Sequence, residues 1–131
     1  MKWSVEYATG VDRVDEQHRM IFKMAEDYRS ALDEGLGERV YPVLLKSLDA
    51  YVRTHFGFEE TCMNRHNCPA ARVNGEAHAK FVAVLADFRQ RFDARGFAHE
   101  DARGLVDTLD RWLVDHICSI DVRLKESVAK A

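Results

Sequence analysis

Apolar residues recur along this chain at three- and four-residue steps, the spacing that gathers side chains on one face of an α-helix. Ile21, Phe22, Ala25, Tyr28 and Leu32 form a first stripe. Leu44, Leu48, Tyr51, Val52, Phe56 and Met63 form a second, and Phe81, Val82, Leu85, Phe88 and Phe92 a third. Leu105, Leu109, Trp112, Leu113, Ile117, Ile120 and Leu124 form the fourth. No segment alternates with a period of two, so no strand is expected. Glycine and proline punctuate the stripes. Gly35 and Gly37 are expected to end the first helix, and the second to start between Glu38 and Pro42, with proline tolerated in a first turn. His66-Asn67-Cys68-Pro69 reads as a loop, Gly96 as the stop of the third helix, and His99-Glu100-Asp101 as the start of the fourth. The segment up to about Asp15 reads as an extended arm carrying Trp3 and Tyr7, with Asp12 or Asp15 capping the first helix. Four amphipathic helices with short connections predict an all-α, up-down-up-down four-helix bundle with an extended N-terminal arm.

Composition narrows the class. The chain has 131 residues, which predicts one domain spanning 1–131. With 47% apolar and 31% charged residues it reads as globular rather than disordered. A formal net charge of -3 without a basic patch argues against nucleic acid as a partner. The longest apolar runs, such as Phe81 to Ala86, are far too short to cross a membrane. The opening Met1-Lys2-Trp3-Ser4-Val5-Glu6 lacks an apolar signal region, so a cytoplasmic location is expected. The three cysteines, Cys62, Cys68 and Cys118, are odd in number and not at a CxxC spacing, which predicts free thiols in a reducing compartment.

The chemistry lies in polar residues that share the apolar faces. His18 precedes Ile21 and Phe22 by three and four residues. His55 follows Tyr51 by four, and Glu59 follows His55 by four. His78 precedes Phe81 and Val82 by three and four, and His116 follows Leu113 and Trp112 by three and four. Asp121 comes later on the same helix. Burying a neutral polar group without a partner costs roughly 2–7 kcal/mol, and a charge costs more. One such histidine is most simply a hydrogen-bonded core residue. When each of four helices aims one inward, with two carboxylates among them, a common partner is required. A metal centre satisfies them all. Imidazole with carboxylate suits Fe, Zn or Mn, and two carboxylates among the histidines point to two metals. His66 lies on nearly the face of His55 but about 16 Å further along the helix axis, and His99 stands at a helix start, so both read as surface residues.

These residues also fall into recognisable motifs. The opening Trp3...Gly10-Val11-Asp12-Arg13-Val14-Asp15-Glu16-Gln17-His18, the HFxxEE run His55 to Glu60 and the WLxxHIxxxD run Trp112 to Asp121 resemble the bacterial hemerythrins over nearly the whole chain. The resemblance implies a non-haem di-iron protein that binds dioxygen, or another small diatomic ligand, reversibly for carriage, storage or sensing, and is not an enzyme. It implies two iron ions bridged by oxo or hydroxo. His18 and His55 would bind the iron with an open position, His78 and His116 the other, and Glu59 and Asp121 would bridge them. Phe56, Leu113 and Ile117 would line the dioxygen pocket, although plain core packing accounts for them equally well. One position departs from the pattern. The family's third helix carries HxxxH, and here Asn74, followed by Gly75, stands where the first histidine belongs. That departure keeps open a peroxide-reactive, iron-handling or nitric-oxide-handling role.

The fourth helix poses a geometric problem. His116 and Asp121 are five apart, about 140° around an ideal helix, so a regular helix would not aim both at one site. A wide turn of the π type, or another distortion, is expected between them.

Overall fold

The structure is a computed structural model that describes residues 3–117 and 121–129. All regular structure among the described residues is helical. A 3-10 turn at Val5–Tyr7 precedes α1 (Asp12–Asp33), α2 (Gly37–Arg65), α3 (Ala71–Arg95) and α4 (His99–Trp112). A π-helical turn at Leu113–Ile117 continues α4, and a 3-10 turn at Asp121–Arg123 leads into the short α5 (Leu124–Ala129). The four long helices form a bundle: α1 packs on α2 and α4, α2 on α3 and α4, and α3 on α4.

The stripes bury as their spacing dictates. Ile21, Leu48, Val52, Leu105, Leu109, Leu113 and Ile117 are fully enclosed. Each such side chain contributes about 1.5–3 kcal/mol relative to exposure. Tyr41, absent from the sequence stripe, sits at the centre of an aromatic cluster with edge contacts to Phe92 and Phe97 at 5.6 and 5.8 Å. A second, smaller apolar cluster of Met63, Cys68, Ala70 and Leu124 closes the other end. On α2, Glu59 lies between Phe56 of the large cluster and Met63 of the small one, so a polar layer is sealed between two apolar ones.

Three local expectations are corrected. Gly37 opens α2 rather than ending α1, and it is buried. A Cβ there would lie 2.7 Å from Leu32 Cδ2 and 2.9 Å from Phe97 Cζ, so a larger residue would force those side chains to shift. Pro42 therefore falls in the second turn, inside the helix, at the loss of one backbone hydrogen bond. Neither Asp12 nor Asp15 caps α1, whose N-cap is Val11. Asp15 instead accepts from Thr9 N and Thr9 Oγ1 at 2.7 and 2.9 Å, tying the N-terminal segment to the helix. That segment is held further by Tyr7 stacked on Phe22 and by the Arg19 guanidinium 4.7 Å from the Trp3 ring. At the other helix ends expectation and structure agree: Gly96, at φ 75°, terminates α3, and Asn67, at φ 52°, turns the loop after α2. Cys62 and Cys68 are free thiols, while Cys118 and Ile120 lie outside the described residues.

Candidate metal centre

Helical spacing delivers the polar residues to one place. His55 and Glu59, four apart on α2, share a face, as do Asn74 and His78 on α3. His18 comes from α1, and His116 from the π-helical turn. Asp121 opens the 3-10 turn that follows. The wide turn expected near His116 thus exists, but it encloses His116 and begins at Leu113; residues 118–120 lie outside the described part. A turn with i to i+5 hydrogen bonds brings residues five apart nearer to one face. His18, Glu59, Asn74 and Asp121 are fully buried, and His55, His78 and His116 almost so. His66 ends α2 half-buried and the exposed His99 starts α4, both away from this cluster.

Within the cluster each carboxylate divides its two oxygens between two histidine pairs. Glu59 Oε2 lies 2.8 Å from His18 Nε2 and 3.5 Å from His55 Nε2, while its Oε1 lies 3.1 Å from His78 Nε2. Asp121 Oδ2 lies 3.2 Å from His18 Nε2, and its Oδ1 2.9 Å from His116 Nε2. Two donor sets result, His18, His55, Glu59 and Asp121 on one side and His78, His116, Glu59 and Asp121 on the other. In each set one donor atom per residue lies within 4.8 Å of all the others.

A surrounding layer orients these groups, and sequence reasoning assigned no role to its Gln17 and Glu60. Gln17 Oε1 is 2.7 Å from His55 Nδ1, and Glu60 Oε2 is 3.2 Å from His78 Nδ1. Each bond holds Nδ1 outward and turns Nε2 toward the centre. Asn74 Nδ2 donates to Glu59 Oε1 at 3.0 Å. Gly75, where a Cβ would meet Glu60 Oε1 at 3.3 Å, leaves room for Glu60 to reach His78. Phe56 stacks face to face on His78 with centroids 3.8 Å apart, and Trp112 stacks on His116 at 4.7 Å. The signal for Gln17 and Glu60 was their place beside His18 and Glu59, on the flank of the inward face.

The electrostatics are those of charges kept out of water. Burial opposes a charge on His18, but the adjacent carboxylates of Asp121 and Glu59 outweigh this and raise its pKa to about 9. Burial lowers His55 to about 3, only partly offset by Glu59. Burial would raise Glu59, yet His18 and His78 hold it well below the usual carboxylate range. Asp121 is pushed up by burial and then by the charge of Glu59.

The donor set fits a cation. Among the described residues, His55 Nε2, His78 Nε2, His116 Nε2 and both oxygens of Asp121 are buried without a hydrogen-bond partner. Isolated, such groups are costly. Lone pairs of nitrogen and oxygen converging on one sealed volume are what a borderline divalent metal binds.

Taken together, fold and site define a metal-binding helical bundle. The family model of the hemerythrin HHE cation binding domain matches residues 9–126. The chain is 31% identical over 123 residues to a bacteriohemerythrin of Methylococcus capsulatus (strain Bath), covering 92% of this chain and 91% of that protein. It is 29% identical over 126 residues to the bacteriohemerythrin of Pseudomonas aeruginosa strain PAO1, covering 96% of this chain and 80% of that protein. A hemerythrin-like protein of Naegleria gruberi is 27% identical over 123 residues. The chain belongs to the hemerythrin family. No helix among the described residues is long and apolar enough to cross a membrane.

Proposed function

We propose that this chain binds dioxygen reversibly at a carboxylate-bridged pair of irons, as a binding protein rather than an enzyme. The observation that carries the reading is the division of Glu59 and Asp121, each offering one oxygen to each histidine pair. Such a division suits two metals and is superfluous for one. His18 and His55 would hold one iron and His78 and His116 the other, with Glu59 and Asp121 each available to both, inside an up-down-up-down four-helix bundle with an N-terminal arm. Bound iron in its reduced state supplies the electrons that dioxygen draws on when it binds. The chain's part is to position and to protect. Gln17 and Glu60 fix the rings of His55 and His78. Phe56, Leu113 and Ile117, all buried in the large apolar cluster, keep water from the centre. A dry apolar wall limits hydration and protonation of the bound ligand, the routes by which reversible binding turns into oxidation.

Iron analysis paired with an optical spectrum tests this. Two irons per chain are expected, with a visible band that forms in air and disappears under vacuum. A band that vacuum does not reverse, with ferric iron left behind, would refute reversible binding and favour peroxide-reactive chemistry at the same centre.

A further inference from the structure

The departure at Asn74 has specific surroundings. Asn74 is fully buried on α3, one turn before His78. Its Nδ2 donates to Glu59 Oε1, the same oxygen that faces His78 Nε2. The other end of the amide, Oδ1, is buried with no partner among the described residues. An imidazole at this place would offer a strong lone pair to a metal. The amide gives its N–H to the carboxylate instead, and its oxygen is a neutral, hard donor of a kind borderline metals hold loosely. A buried acceptor left unpaired is unfavourable, and a water sharing the site removes the deficit by donating to it.

The two sides of the centre are therefore equal in strong protein donors. His18 and His55 on one side, and His78 and His116 on the other, each add two imidazoles to the same two carboxylates. Neither side has a further imidazole to close its coordination. A cleft of about 450 Å³ between α2 and α3, lined by Phe56, Gly57, Glu60, Gly75 and His78 among others, borders His78 on the side of Glu60. Glycine at both 57 and 75 removes the side chains that would narrow it.

We propose that Asn74 is a positioning residue for Glu59, and that the place an imidazole would fill beside His78 and His116 is a second exchangeable ligand position, taken by water or a small anion. The inference rests on the di-iron reading given above. It makes the centre open at both metals rather than at one.

Azide counting tests it on the iron-loaded, oxidised protein. Iron content is measured first, and azide is then titrated by equilibrium dialysis alongside the visible spectrum. The native chain is expected to take two azides per iron pair, and Asn74→His one. A native chain with two irons and a single azide overturns the inference while the di-iron reading stands. A chain that holds fewer than two irons overturns the di-iron reading and the inference with it. The positioning role has its own readout in Asn74→Leu, which keeps the bulk and removes the donor. Its cobalt(II)-loaded form is expected to show a shifted ligand-field spectrum and about 10- to 100-fold weaker metal binding, with helicity unchanged by circular dichroism. Native spectrum and affinity in that variant overturn the positioning role.

Discussion

Gln17 and His55 meet across 2.7 Å, side-chain oxygen to Nδ1, between α1 and α2. With Nδ1 committed to Gln17, His55 Nε2 remains as a lone pair, buried and unpaired, facing the centre. The adjacent His18 faces the same centre, so one turn of α1 supplies both a ligand-type group and the anchor for another.

Gln17→Ala is expected to weaken metal binding about 10- to 100-fold, because the ring it orients becomes free to rotate and to change tautomer. Competition with a chelator of known affinity measures this. Gln17→Glu is expected to retain binding, since a carboxylate accepts the same proton. Equal affinities for Gln17→Ala and the parent would show that helix packing alone sets the ring of His55.

Two glycine substitutions should move stability in opposite directions. Gly75 lies inside α3, and the nearest atom to a new Cβ is the far end of the Glu60 side chain, which can swing away. Gly75→Ala is therefore expected to stabilise the fold by up to about 1 kcal/mol through helix propensity, at some expense of the Glu60–His78 contact. Gly37→Ala would press on Leu32 and Phe97, packed side chains that cannot swing away as easily. Its expected cost is about 1–3 kcal/mol, the usual range for overpacking. Urea unfolding of the two variants side by side checks the signs, and a stabilised Gly37→Ala would contradict the packing argument.

What the sequence made legible, and what it did not, follows from which interactions have a period. The burial of Leu48, Leu105 and Leu109, and the inward aim of His18, His55, Glu59 and His78, are consequences of 3.6-residue repeats and could be read directly. Asp121 broke the period, which led to the expectation of a wide turn between His116 and Asp121; a π-helical turn lies at Leu113–Ile117, and residues 118–120 lie outside the described part. Contacts between helices have no period. The Glu60–His78 bond joins residues eighteen apart on different helices. Asp15 has the composition of a cap, yet its carboxylate is drawn to Thr9 because the N-terminal segment folds back within reach. The two roles of the Asn74 amide depend on where Glu59 points, which only the packed structure supplies.

Leu113 ties the apolar wall to stability. It is fully buried in the π-helical turn, three residues before His116. Leu113→Ala is expected to cost about 2–5 kcal/mol, the range for a buried leucine truncated to alanine. It is also expected to speed spontaneous oxidation of the oxygen-loaded protein, since the gap admits water beside the centre. A core variant away from the site, Leu48→Ala, controls for lost stability. If both variants oxidise at the same rate when compared at equal stability, Leu113 is a packing residue with no protective part.

Proton release on metal uptake follows from the opposed histidines. In the metal-free fold His18 has a pKa of about 9, above its ordinary 6.5, so it carries a proton at neutral pH. His55, at about 3, carries none. A metal can take His18 Nε2 only after that proton leaves, so uptake near pH 7 is expected to release about one proton from His18. From pH 6.5 toward 9 the apparent affinity is then expected to rise by up to about tenfold per pH unit and to level off above 9. His55 adds nothing to this slope, because its proton is already gone throughout that window. The sign for the metal-free fold runs the other way. A pKa raised on folding stabilises fully below 6.5, and His18's contribution fades as pH climbs through 9. Raising the pH should therefore weaken the metal-free protein while strengthening its hold on metal. Zinc titrations in buffers of different ionisation enthalpy measure both proton count and affinity. An affinity that does not change between pH 6.5 and 9, with no proton released, would mean that His18 enters the metal-free state neutral and that its contacts with Glu59 and Asp121 do not hold a charge.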